Sequence, residues 1–417
     1  MLCACVTLLV PVVLILRRVT PVYALMLGAL AGGLVGGFGL QGTVQTMISG
    51  AQGMMSAVLR ILASGLLAGA LVRTGAAERL AGAVVRGLGV RFALPAIALA
   101  TMLVCAVGVF VDIAVITVAP VALSVGRRAG IPVPALLLAM IGGGKAGNIV
   151  SPNPNTISVA EAFKTDLTAL MAENAVPALV ALGVTVLLAQ IVRGRTEGPE
   201  NGAGADGADG AGTKDGPGLV AALAGPLVVV LLLVLRPVCG IAVDPLVALS
   251  AGGLACVLAA RRARETVEIC SFGLSQVSGI ALLLIGTGTV AGVVKASTLT
   301  ADLVSLLASC HQPAFLLAPL SGVLLAGATA STTAGATVAA QSFADVLLES
   351  GVPALAGAAL IHAGATVVDS LPHGSFFHAT GGVVGMSVRD RLRLIPYEAL
   401  VGLSSTLASV IFYLVKR

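Results

Sequence analysis

Charge is what this sequence has least of. Of its 417 residues only 10% are Asp, Glu, Lys or Arg, against 57% hydrophobic, and the mean hydropathy is +1.05. A chain so poor in charge cannot clothe a soluble domain, and the composition is that of an integral membrane protein. Alternation of apolar and polar residues is missing as well. The apolar runs, such as Leu2–Leu16, Val22–Leu40, Ala93–Val111, Leu219–Leu235 and Leu246–Ala260, are continuous. They exclude barrel strands and predict helical spans, each crossing about 30 Å of hydrocarbon with about 20 residues. Met1–Val10 carries no Lys or Arg, so the first run is expected to stay as a span rather than be cleaved as a signal peptide.

Catalytic and metal-binding patterns are also lacking. The seven cysteines, Cys3, Cys5, Cys105, Cys239, Cys256, Cys270 and Cys310, are scattered, and only the first two stand at ligand spacing. They read as small apolar fillers. No HExxH, GxSxG or paired CxxC occurs, so neither an enzyme nor a metal or other cofactor is expected. The bilayer is the expected surroundings, and no nucleic acid partner is implied.

What is present is a division into two halves. "RGRTEGPENGAGADGADGAGTKDGPG" at 193–218 has no large apolar residue and reads as a flexible, solvated linker. Residues 1–192 precede it and 219–417 follow. At an offset of 220 the halves match, with Ile116–Pro120 over Ala336–Ala340, Ile141 over Ile361, Gly144 over Gly364 and Pro152 over Pro372. Upstream, "LLAGALVRTG" and "TVAGVVKAS" form another pair.

Basic residues stay cytoplasmic and so orient the halves. Arg127 and Arg128, Arg193 and Arg195, Arg261 to Arg264, and Arg389, Arg391 and Arg393 form short clusters, whereas no Lys or Arg lies between Ala296 and Val388. The two copies therefore face opposite sides. The expected fold is an all-α integral membrane protein of two inverted-topology repeats, with about 11 spans and two re-entrant hairpins. The hairpins are placed near 93–127 and 313–346, and the broken helices at 134–163 and 353–385. The linker and the Arg261–Arg264 cluster are assigned to the cytoplasm.

Polar residues concentrate at the breaks. In "GGGKAGNIVSPNPNTISVAEAF", Gly142–Phe163, Gly142–Gly144 and the prolines Pro152 and Pro154 are expected to interrupt the helix, freeing backbone groups that are tolerable at depth only where they line a cavity. Asn148, Ser151, Asn153, Asn155 and Thr156 supply neutral donors and acceptors for hydroxyls and carboxylates. A half-helix beginning near Ser158 would turn its positive end towards an anion. Lys145 either attracts a substrate carboxylate or snorkels to an interface.

The counterpart "IHAGATVVDSLPHGSFFHATGG", Ile361–Gly382, holds Asp369, His362, His373, Ser375 and His378. Asp369, His362 and His373 are the candidates for proton coupling, with His378 beside them. At the hairpin tips stand Asp112, alone in an apolar context, and the hydroxyl run Ser331, Thr332 and Thr333. A buried acid is by default functional, although Asp112 also suits a structural ion pair or a turn.

Three stretches resemble a known family. "GVFVDIAVITVAPVAL" is similar to the phenylalanine-and-acid motif of the gluconate permease family, "GATASTTAGATVAA" to its second-hairpin motif, and "IHAGATVVDSLPHGSFFHATGGVVGMSVRDRLRLIPYEALVG" to its C-terminal signature. The resemblance implies a proton-coupled importer of gluconate or a related hydroxy-carboxylate, within the ion-transporter superfamily of typically dimeric, elevator-type carriers of the inner membrane. Where some members are His- and Pro-rich in the first broken helix, this chain has "KAGNIVSPNPNT". The residues alone also allow sodium coupling, or an anion channel, which would need no titratable coupling group.

Overall fold

A computed structural model describes residues 2–17, 19–195, 217–297, 313–372 and 374–416, and these are helical with no strand among them. The first half carries α1 (Leu2–Leu16), α2 (Pro21–Val35), α3 (Gly39–Gln52), α4 (Met55–Arg73) and α5 (Ala76–Leu88). A hairpin follows, α6 (Ala93–Ala106) and α7 (Val111–Ala129), then an interrupted pair, α8 (Val133–Asn148) and α9 (Pro154–Ala162), then α10 (Leu167–Glu173) and α11 (Ala175–Arg195). The second half has α12 (Leu219–Cys239), α13 (Pro245–Ala259) and α14 (Thr266–Ala296). Its hairpin is α15 (Leu317–Thr329) and α16 (Thr332–Glu349), its interrupted pair α17 (Ala354–Gly364) and α18 (Ser375–Val383), and it ends in α19 (Val388–Leu392) and α20 (Ile395–Lys416).

Among the described residues four helical stretches are long and apolar enough for a full crossing: Met55–Arg73, Ala175–Arg195, Ala263–Ala296 and Val388–Lys416. Others are shorter, and Ala76–Leu88 meets Val90–Ala106 at 108°. Helices this short cannot traverse the hydrocarbon alone. They do so in pairs, or turn back.

The glycines of the first polar stretch do not break the helix as the sequence suggested. Gly142, Gly143 and Gly144 lie inside α8, which continues to Asn148. Their task is close approach. A Cβ on Gly143 would stand 2.1 Å from the Ala98 carbonyl oxygen, and one on Gly147 2.3 Å from that of Met102. With no hydrophobic drive between helices in lipid, backbone contact of this kind is what joins α6 to α8. The same device joins α15 to α17, where a Cβ on Gly364 would lie 2.4 Å from the Pro319 carbonyl oxygen and one on Gly322 2.5 Å from that of Ile361. The break itself falls after Asn148. Asn153 caps the next helix, Pro154 occupies its first turn, and Pro is favoured there because its missing N–H was unpaired anyway. The half-helix thus begins at Pro154, not near Ser158.

Arginine contacts mark the two ends of the bundle. Arg60, near the start of α4, bonds Asp244 just before α13, while Arg262, just after α13, bonds the Arg73 carbonyl at the end of α4. α4 and α13 therefore run parallel. Glu161 on α9 also meets Arg60, so α9 exits at the Arg60 end. α17 enters from that same end, since a Cβ on Gly357 would lie 2.7 Å from the Phe163 ring. The two interrupted pairs run in opposite directions.

Candidate functional site

The second break, residues 365–374, is built against the α15–α16 hairpin tip. Ala330 there takes a left-handed φ of 45°, a conformation uncommon for a residue with a Cβ, and a Cβ on Gly374 would lie 2.4 Å from the Ala330 carbonyl oxygen. The hairpin tip thereby faces Asp369. The Thr332 hydroxyl donates to Asp369 Oδ2 at 2.5 Å, and the Ser370 hydroxyl donates to Oδ1 at 3.0 Å.

Lys145 reaches the same carboxylate from α8. Its Nζ lies 2.6 Å from Asp369 Oδ1, with the two side chains 2% and 5% exposed. It also donates to the carbonyls of Thr366 at 2.7 Å and Glu398 at 3.3 Å. An ammonium has three donors, and all three are engaged. Of the two readings of Lys145, snorkelling is set aside: the ammonium lies inside the protein. The Glu398 carboxylate is itself buried in a two-toothed pair with Arg391, one contact at 3.1 Å. Arg391 also donates to the Thr380 hydroxyl at 3.3 Å and lies 5.0 Å over the Phe377 ring. Two buried cations and two buried anions thus sum to zero. Arg391 was assigned from sequence to a cytoplasmic basic cluster; it is buried, and Arg391 and Glu398 are the residues that sequence reasoning missed. Their signal was an Arg and a Glu seven positions apart inside the most family-like stretch.

The first break closes on its own asparagines. Asn153 Nδ2 donates to Asn148 O at 2.9 Å and Oδ1 at 2.6 Å, and Asn155 Nδ2 donates to Asn148 Oδ1 at 2.9 Å. Asn153 Oδ1 accepts from the backbone N–H groups of Asn155 and Thr156 at 3.0 and 3.2 Å and from the Thr156 hydroxyl at 3.3 Å. Four buried polar atoms nevertheless keep no partner: Asn148 Nδ2, Ser151 Oγ, Asn155 Oδ1 and Ser158 Oγ. Buried polar atoms are rarely left so, which makes this break receptive to a hydroxylated ligand.

The remaining candidates lie apart from this core. Asp112, half-buried in the first turn of α7, accepts the Ile113 N–H at 2.9 Å. Ser331 caps α16 through the Ala334 N–H at 3.2 Å, and Thr333 is half-buried beside it. Ser375 is exposed at the start of α18, and His378 is exposed with Nε2 2.8 Å from the Pro372 carbonyl oxygen. His362 is fully buried with both ring nitrogens unpartnered, and it is not joined to Asp369. His373 lies outside the described residues. Among the described residues no group of three His, Cys, Asp or Glu could hold a metal.

Interrupted helices packed against hairpins, with charges paired at the breaks of an all-helical apolar chain, define a polytopic membrane transporter. The chain belongs to the GntP permease family: the model described as GntP family permease matches residues 1–251. A Haemophilus influenzae protein described as an "uncharacterized transporter" is 49% identical over 412 residues, 98% of this chain and 97% of that one. In solved structures the fold is similar to that of the Alcanivorax borkumensis YdaH transporter, at 16% identity and TM-score 0.67 over 90% of this chain and 88% of that one. It is equally similar to Neisseria gonorrhoeae MtrF, described among antimetabolite efflux pumps, at 14% identity and TM-score 0.67 over 91% and 84%. At such identities these two speak for the fold alone.

Proposed function

We propose that the protein is a secondary active transporter that imports gluconate or a related hydroxy-carboxylate by proton symport. The observation that carries this reading is the buried Lys145–Asp369 pair, which ties the first interrupted helix to the second through the only acid of that second stretch. A titratable pair at the meeting point of two broken helices is where secondary transporters bind ions and substrate. The unpartnered atoms of Asn148, Ser151, Asn155 and Ser158 suit the hydroxyls of a sugar acid, and membership of the GntP permease family supports the class of substrate. The opposite directions of the two interrupted pairs support inverted-topology repeats and alternating access of the elevator type. A dimer in the cytoplasmic membrane is part of the same reading.

Uptake into proteoliposomes tests it. An inward proton gradient should drive accumulation of labelled gluconate, or of another hydroxy-acid in a panel with glycerate and 3-hydroxybutyrate, above the external concentration. Purely downhill flux would point to a channel, and accumulation driven by sodium but not by protons would reassign the coupling ion.

A further inference from the structure

We infer that proton and substrate exchange places at Lys145: protonation of Asp369 releases the ammonium to bind the substrate carboxylate, so that one proton and one monoanion enter together as a neutral pair. This rests on the transport reading above and adds to it the stoichiometry, the charge class of the substrate and the electrical silence of the cycle.

The geometry leaves an incoming carboxylate few choices. Lys145 spends its three donors on Asp369 Oδ1, the Thr366 carbonyl and the Glu398 carbonyl. Arg391, the other cation buried here, is held by both oxygens of Glu398. With Asp369 ionised the site is closed and neutral. An added anion would then sit as an uncompensated charge in a dry site, which strongly disfavours it. Placing a proton on Asp369 changes this. The lysine keeps its charge, loses its counter-ion, and takes the substrate carboxylate instead. The neutral carboxyl keeps the Thr332 and Ser370 hydroxyls as neighbours and gains an O–H to donate. On release, the proton leaves Asp369 and the Lys145–Asp369 pair re-forms. The site is neutral both empty and loaded, and no net charge crosses with the substrate. A dianion would leave one negative charge unmatched, which confines the substrates to monocarboxylates.

Among the described residues no other charged group offers a competing route. The α15–α16 hairpin carries no charged residue before Asp345, and that one pairs with Lys295 at 3.1 Å. On α20 the facing acid is Glu398, committed to Arg391. α8 contributes Lys145 alone, α17 brings His362 with no polar contact, and Asp112 on α7 bonds the Ile113 N–H.

Gluconate binding to the purified protein in weakly buffered detergent provides the test. Wild type should take up one proton per gluconate bound, its affinity should fall as the pH is raised, by up to tenfold per pH unit for one linked proton, and its pH-driven uptake in proteoliposomes should be indifferent to an imposed potassium-valinomycin potential. Asp369→Asn, with Lys145 permanently released, should bind gluconate with no proton uptake and no such pH dependence. Binding by wild type without proton uptake, uptake accelerated by the potential, or unchanged pH dependence in Asp369→Asn would overturn the exchange while leaving transport intact. If Asp369→Asn does not fold, the wild-type measurements decide. If wild type binds neither gluconate nor any acid of the panel at any pH, the substrate class falls and this inference with it.

Discussion

The Arg391–Glu398 pair permits a quantitative test of what holds the C-terminal helix in place. Both side chains are 1% exposed, so Glu398→Gln leaves a guanidinium in a dry interior with its counter-charge gone. Removing one member of a buried pair costs about 3–5 kcal/mol. The lower part of that range applies here, because Arg391 retains the Thr380 hydroxyl and the Phe377 ring at 5.0 Å, a cation–π contact of about 0.5–2 kcal/mol. Arg391→Met should cost a similar amount by stranding the carboxylate. The double variant Arg391→Met/Glu398→Leu strands neither charge and fills the same space with apolar atoms, and such replacements are neutral or stabilising by about 1–4 kcal/mol. The assay is unfolding free energy by SDS titration in mixed micelles, closed as a double-mutant cycle. With each single variant costing about 3 kcal/mol and the double variant costing nothing, a coupling energy of about 6 kcal/mol is expected. A double variant as unstable as either single one would refute the reasoning, because the loss would then come from packing and not from unpaired charge.

Four further outcomes follow from the same structure. Gly147→Leu should abolish folded protein, since even its Cβ would lie 2.3 Å from the Met102 carbonyl oxygen, whereas Gly183→Ala, with nothing within 4 Å, should leave the yield unchanged; size-exclusion profiles distinguish them. Asn153→Ala should weaken substrate affinity about ten- to a hundredfold, or about 1–3 kcal/mol. It should also cost about 1 kcal/mol of stability through the lost cap of α9, while exposed Ser375→Ala should change stability little; binding isotherms and unfolding curves read the two effects. The Arg60 guanidinium, hydrogen-bonded to Asp244, holds that carboxyl below its ordinary value. The contribution is therefore complete above about pH 4 and is lost only as pH falls through the lowered value, so Asp244→Asn should leave the pH profile of uptake between pH 5 and 8 unchanged. For topology, Cys239, exposed at the end of α12, should react with impermeant maleimide from outside, and a cysteine at Arg264 should react from the cytoplasm; labelling of both from one side would remove the inverted arrangement.

The sequence by itself determined the environment, the class of element and the location of the polar interruptions. These are additive properties of composition and local pattern: a continuous apolar run must be helical in lipid whatever it packs against, and a Pro-X-Pro after Asn148 must break a helix. Lys145, Asp369 and the three asparagines were legible for the same reason, because a polar residue in an apolar run stands out without knowledge of its partner. Partnership was not legible. Lys145 and Asp369 are 224 positions apart, and the Lys145–Glu398 contact spans 253; nothing local says which charge neutralises which. His362, close in sequence to Asp369, looked like its companion, yet the chain turns so that Asp369 faces α8 and the hairpin tip, and His362 is buried with no polar contact. Arg391 read as one more cytoplasmic arginine because its neighbours Arg389 and Arg393 are exposed. Gly142–Gly144 read as a break because glycine weakens an isolated helix, whereas in the folded protein the missing Cβ of Gly143 admits the backbone of α6, and those of Gly142 and Gly144 admit the side chains of Thr185 and Val111. Charge pairing and backbone contact depend on which surfaces meet, and only the tertiary structure decides that.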